Sequence, residues 1–322
     1  MVSVDDPVGH YLTLGLQLGR HIDGMVDAYY GPDELKRAVD AAPAAPAVEL
    51  AASARALLGD LAVDSDLSAE RRHWISGQAR GLHTSARKLA GEPLGYVEEV
   101  EQSYDVTPHW IDEEAITDAH RRLDESLAGD GTLVERLTTF RAAHAIPPSA
   151  LRGVIDDLAA EFRARTDQMF GLPEGEHIEF DLVSDEPWSG FNYYRGGLRS
   201  TVAINTDLPV LSTSIGHLVA HEAYPGHHTE HCRKEVGLVR EAGLLEETIF
   251  LVGTPQCVMA EGLADLAIEV LLGPEHRQVM AELLAEHPVT YDLEAVDSVA
   301  GFGEVSNAVR GNIGILLNDR GA

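Results

Sequence analysis

From position 8 to position 170 the apolar residues recur at helical spacing, with polar faces between them. Val8–Tyr30 is an apolar-rich segment stopped by Gly31-Pro32, and a helix can restart at Asp33. The Pro43–Pro46 stretch, reading PAAP, predicts a loop. Val48–Leu61, Ala69–Leu89, Glu113–Leu127, Leu133–His144 and Pro148–Phe170 each predict a helix, with Asp112 and Ser149 as N-caps. After Gly171 the period shortens. HIEFDLVSD and GGLRSTVAINT alternate and are rich in β-formers, so short strands are expected there. Gly196-Gly197 and Pro187–Gly190 supply turns. The helical period returns after Leu208, in Ser212–Ala223, Thr254–Leu272 and within Tyr291–Leu317. The expectation is a mainly α fold: a single α-rich domain over residues 1–322, with 1–170 a helical scaffold and 171–322 a small sheet plus the helices that carry the chemistry.

Composition narrows the function classes. A formal net charge of -29 repels nucleic acid and anionic membranes, so neither is an expected partner. No window approaches the apolar length of a membrane span. The start, MVSVDDPVGHY, lacks a basic region followed by an apolar core, which predicts a cytoplasmic protein. Cys232 and Cys257 form no C-x-x-C pair, so a cysteine zinc site is excluded and two reduced thiols are expected.

The chemistry concentrates in HLVAHEAYPGHHTEH, residues 217–231, which holds five of the fifteen histidines. On a regular helix, side chains four apart share a face, and this is why two histidines spaced as H-E-x-x-H can hold one zinc. Here Pro225 stands four residues after His221, where the second ligand should be. His228 returns to the same face, but roughly 10 Å further along the axis. Pro225 removes a helix hydrogen bond and Gly226 tolerates unusual dihedrals, so a bulge or kink is expected between Tyr224 and His227. That break would let His227 take the second-ligand position, with His228 as the competing choice. Glu222 stands where a general base would face an activated water. Downstream, AEGLADLAIE places Glu261 and Asp265 four apart: Glu261 can complete a His-His-Glu site, and Asp265 can orient a ligand imidazole through its other nitrogen. His217–His221 and His227–His231 are also spaced by four, but neither pair has the Glu placement that hydrolysis needs. His217 and His231 are therefore read as supporting or surface residues.

The run His-Glu-x-x-Pro-Gly-His-His, followed by a helix carrying Glu-Gly, resembles the bacterial domain-of-unknown-function family 885, grouped with the thermolysin-like gluzincin zinc metallopeptidases. INTDLPV and VDAYYGP are similar to segments of that family as well. The resemblance implies a zinc-metallopeptidase-like helical domain with its small sheet beside the active-site helix, Zn2+ bound by His221, His227 (or His228) and Glu261, and Glu222 as base. Leu263 departs from the aromatic usual after Glu-Gly, and family members usually continue beyond RGNIGILLNDRGA, so substrate-binding residues that they place there are expected to be missing.

For the oxyanion of a hydrolytic transition state the candidates are Tyr193, Tyr194 and whichever of His227 and His228 is not a ligand, with GFNYYRGG read as a loop over the site. The Thr201–Asn205 strand, Asn205 included, is a candidate edge for an extended peptide. Arg195, Arg199 and Arg310 are scarce cations, one of which could pair with a substrate carboxylate. These readings favour a zinc-dependent peptidase acting on short peptides or C-termini. The alternatives are a metal-dependent amidase on a non-peptide amide and a non-catalytic metal-binding scaffold.

Overall fold

The computed structural model describes residues 6–319. Met1–Asp5 and Arg320–Ala322, parts of the two terminal stretches read above, lie outside the described residues. The chain is mainly helical with two small sheets. Its first half contains α1 (Pro7–Leu18), β1 (Val26–Tyr29), α2 (Asp33–Ala41), α3 (Ala47–Val63), α4 (Ala69–Leu89), α5 (Tyr96–Tyr104), α6 (Glu113–Ser126), α7 (Leu133–Ala143) and α8 (Pro148–Phe170). The second half contains β2 (His177–Val183), β3 (Gly190–Tyr194), β4 (Arg199–Asn205), α9 (Ser212–Glu222), α10 (His227–Lys234), β5 (Ile249–Leu251), α11 (Pro255–Asp265), α12 (Ala267–Leu272), α13 (His276–Leu284) and α14 (Leu293–Asp319). Among the described residues no helix is long and apolar enough to cross a membrane.

Two apolar cores flank the histidine segment. In the first, α1, α3 and α4 close on Ile249 and Leu251 of β5. In the second, α8 presents Leu151, Val154, Ile155, Leu158 and Phe162, at spacings of three and four, to β4 and to Ile215, Val219 and Ala220 of α9. The three-stranded sheet runs β2-β4-β3, with β2 parallel and β3 antiparallel to β4. Gly196 and Gly197, both at positive φ, make the tight return from β3 to β4. This arrangement lays β3 alongside α9: Asn192 Nδ2 donates to the Glu222 carbonyl at 2.6 Å.

Several elements differ from the sequence reading. The helix expected to reach Tyr30 stops at Leu18, and residues 26–29 instead pair antiparallel with β5. Periodicity over that apolar stretch could not reveal a strand whose partner lies near residue 250. GFNYYRGG is strand β3 and its turn, not a loop. The Thr201–Asn205 segment lies in the central strand, so β3 and β2 are the edges and no peptide can add to β4. The expected Thr254–Leu272 helix is interrupted at Leu266. Asp112 is the N-cap of α6 without a side-chain bond, while Pro147 and Pro148 start α8 and leave Ser149 inside it.

Phe162 is fully buried at the centre of the second core. Phe162→Ala should destabilise the fold by about 3–5 kcal/mol, read as a shifted urea midpoint with unchanged slope.

Candidate metal centre

Helix α9 ends at Glu222, and residues 223–226 leave the helical path before α10 starts at His227. The Tyr224–Pro225 peptide is cis. Gly226 folds back onto the helix end, its N–H donating to the Ala220 carbonyl at 2.9 Å. A Cβ on Gly226 would lie 1.9 Å from the His221 carbonyl oxygen and 2.5 Å from that of Ala220. Only glycine permits this approach, because the obstacle is backbone and cannot swing aside.

The return brings His227 onto His221. Their Nε2 atoms are 3.1 Å apart and the rings meet edge to face. Glu261, on α11, reaches both: Oε2 is 3.5 Å from His221 Nε2 and Oε1 is 3.5 Å from His227 Nε2. A tetrahedral zinc with bonds of 2.0–2.1 Å has ligand–ligand edges of about 3.3 Å. The two imidazole nitrogens are separated by close to that value, each Glu261 oxygen lies 3.5 Å from one of them, and two imidazoles plus a carboxylate are the donor types zinc takes, so the residues present fit the ion. Burial pushes the His221 imidazole down, but Glu261, Glu222 and Asp265 outweigh it and lift its pKa. Burial and His221 together hold His227 below its ordinary range. His221 draws the Glu261 carboxyl down. Carboxylates and imidazoles thus offer opposed charge preferences within one cluster, and the same donors suit a dication.

Around this triad, Asp265 Oδ1 sits 3.1 Å from His221 Nδ1, although the two are not aligned as a hydrogen bond and Nδ1 has no other partner. Glu222 is only 7% exposed. Burial, reinforced by Glu261 and Asp27, pushes its carboxyl up to about 7 against the pull of His221 and the Asn192 main chain. Gly190 covers it: a Cβ there would meet Glu222 Oε1 at 3.3 Å.

The other expected site residues are placed differently. His228, adjacent to His227, points the opposite way into the core and is fully buried. Its Nε2 lies 2.8 Å from Glu176 Oε2 and its Nδ1 2.8 Å from the Ser200 hydroxyl, so both nitrogens are used and neither can bind the metal or an oxyanion. Tyr194 is buried, its hydroxyl given to Glu235 at 2.5 Å and its ring stacked on His231. His231 is thus a core residue. Tyr193, on the other face of β3, is half-buried under the Arg195 guanidinium, and its hydroxyl makes no hydrogen bond among the described residues. Arg195, Arg199 and Arg310 are exposed and none contacts the triad. Asn205 is occupied in pinning a loop: its amide donates to the carbonyls of Glu186 and Trp188 at 2.8 and 2.9 Å. His217 is half-exposed on α9, 3.6 Å from Asp265.

Two residues escaped the sequence reading. Asp27 is the extra residue of a β-bulge in β1, opposite β5, a device that re-aims a side chain. Burial and the Glu261 charge raise its carboxyl to about 7. The VDAYYGP stretch was its available signal. Glu176 precedes β2 and binds His228, Tyr224 and Arg163. Burial would raise its pKa, but those three partners overcome that and hold it at about 2.

No protein-family model matches the chain, and no curated protein matches it. A solved structure described as a "putative lipoprotein from Colwellia psychrerythraea" is similar over 84% of this chain and 60% of that one, at 14% identity and a TM-score of 0.37, a likeness too loose to carry any inference.

Gly226→Ala should abolish stoichiometric zinc binding, measured by metal mass spectrometry after gel filtration, because the added methyl displaces His227 from His221. Acid stability should follow the buried pair. Glu176 ionises near 2 in the fold against 4.5 for the free group, so its contribution is full above 4.5 and is lost as pH falls towards 2. Burial keeps His228 below 6.5 despite the pull of Glu176, so the unfolded chain takes up a proton that the fold refuses and stability also declines below that pH. A Tm series from pH 7 to pH 3 should show this decline, and Glu176→Gln should lower the neutral Tm while flattening the limb below 4.5.

Proposed function

We propose that this chain is a zinc-dependent hydrolase of peptide bonds, with His221, His227 and Glu261 as ligands and Glu222 as general base. The observation that carries the reading is the convergence of three donors at zinc-like separations beside a buried carboxylate whose pKa lies near 7. Zinc bound there would supply Lewis acidity and a water acidified towards neutrality. The protein's own groups do the rest. Glu222 accepts the water proton and returns it to the leaving amine, a task for which a pKa near the working pH is best matched. Asp265, 3.1 Å from His221 Nδ1, would orient that ring with Nε2 towards the metal position once the two align. With Tyr194 and His228 already committed to buried partners, Tyr193 is the remaining hydroxyl for the oxyanion. The edge of β3, beside Glu222, offers main-chain groups to an extended substrate.

Short peptides are the proposed substrates. A particular preference for C-termini loses its support, since among the described residues no arginine contacts the triad. An amidase acting on non-peptide amides would use the same residues, and turnover of a di- and tripeptide library against simple aryl amides separates the two. Glu222→Gln should keep its zinc and lose at least about 100-fold in turnover of whichever substrate is found. Metal retained with turnover unchanged would exclude base catalysis at this residue, whereas metal bound by a native chain that turns over no amide would leave a binding scaffold.

A further inference from the structure

We propose that α9 and α11 carry a second divalent-cation site, made by His217 Nε2, His221 Nδ1 and the Asp265 carboxylate, which competes with the His221–His227–Glu261 site for the His221 ring. It rests on the hydrolase reading only for its effect on turnover.

The geometry is a doubled ladder. His217 and His221 are one turn apart on α9, and Glu261 and Asp265 are one turn apart on the facing α11. Each His faces a carboxylate. Asp265 Oδ1 is 3.1 Å from His221 Nδ1 and 3.6 Å from His217 Nε2, and one donor atom from each of the three residues lies within 4.8 Å of the others. The two rings are 5.6 Å apart and inclined by 36°, so the Asp265 oxygen sits against both. Two imidazoles and a carboxylate are again a donor set for a borderline cation such as zinc.

A second observation points to a ligand here. Among the described residues His221 Nδ1 is buried and forms no hydrogen bond, although a carboxylate oxygen stands at hydrogen-bond distance from it. That nitrogen has two uses. Protonated, it faces Asp265 while Nε2 offers its lone pair to the inner site. Deprotonated, it offers its own lone pair to a cation shared with His217 and Asp265, and the ring proton moves to Nε2. A neutral imidazole has only one free lone pair, so the two uses exclude each other. Asp265 changes with it, from orienting group to ligand. The inner site should fill first: the His side chains there are 14% and 12% exposed, whereas the outer site adds His217 at 49% and Asp265 at 66%. Zinc in excess would then capture Nδ1 and draw His221 away from the inner ion, so limiting zinc activates and excess zinc inhibits.

The binding arm uses zinc alone on the full chain. A His227→Asn/Glu261→Gln variant, in which the inner site is dismantled at nearly constant volume, should retain one zinc equivalent by equilibrium dialysis. Adding His217→Ala should abolish it. His217 is half-exposed, and far-UV circular dichroism verifies that each variant is folded. A folded double variant that binds no zinc sinks the proposal, and so does one whose binding is indifferent to His217→Ala. In the turnover arm, His217→Ala in the otherwise native chain should remove inhibition by excess zinc while leaving the rate at one equivalent unchanged. Inhibition that persists in that variant overturns the competition. If the native chain cleaves no amide at all, the hydrolase reading fails while dialysis still decides the second site.

Discussion

The contact on which the candidate metal centre depends is between two pieces of backbone. Gly226 lies so close to the last carbonyls of α9 that a side chain of any size is excluded, and the chain is thereby returned onto the helix it has just left. From that return follows the direction of α10. Consecutive residues on a helix point about 100° apart, and here the divergence is used fully. His227 faces outwards to His221, while His228 is driven into the core. The buried bonds from His228 to Glu176 and Ser200 fix the rotation of α10 about its own axis, so His227 is held against His221 by its neighbour. Removing water from both groups is compensated by satisfying every polar atom of the imidazole.

The electrostatics belong to the same arrangement. Glu222, Glu261 and Asp27 share a small volume: the Glu261 charge raises Asp27, and both raise Glu222, whose burial raises it most. Such crowding is costly for an apo protein and favourable once a dication is present. It also separates the roles of the carboxylates by environment. Glu261, 3.5 Å from His221 and drawn down by it, suits a ligand, while burial pushes the covered Glu222 up to about 7.

Much of this was readable from the chain, and the gaps have physical causes. Long helices such as Ala69–Leu89 and Pro148–Phe170 follow from periodicity alone, since each shows one apolar stripe. The break after Glu222 follows from Pro225 and Gly226, and the spacing of Glu261 and Asp265 anticipates that both lie on one face of α11 beside His221. The choice between His227 and His228 did not follow, because it depends on which side of α10 meets the core, and Glu176 lies far away in sequence. The same limit hid Asp27. Its role depends on a bulge, and a bulge exists only relative to a partner strand. Tyr194 and Asn205 were misread for a related reason: a polar side chain looks available until its buried or looping partner is known.

The ribbon of β1 and β5 has a consequence for how the molecule is made. Residues 26–29 have no strand beside them until residues 249–251 have been synthesised, and those same residues bring Ile249 and Leu251 to the core of α1, α3 and α4. Closing so long a loop adds little to the equilibrium cost, because that cost grows only logarithmically with length. It does delay completion. During synthesis the amino-terminal helices must wait, with an apolar face uncovered and a strand edge open, for a segment that emerges late.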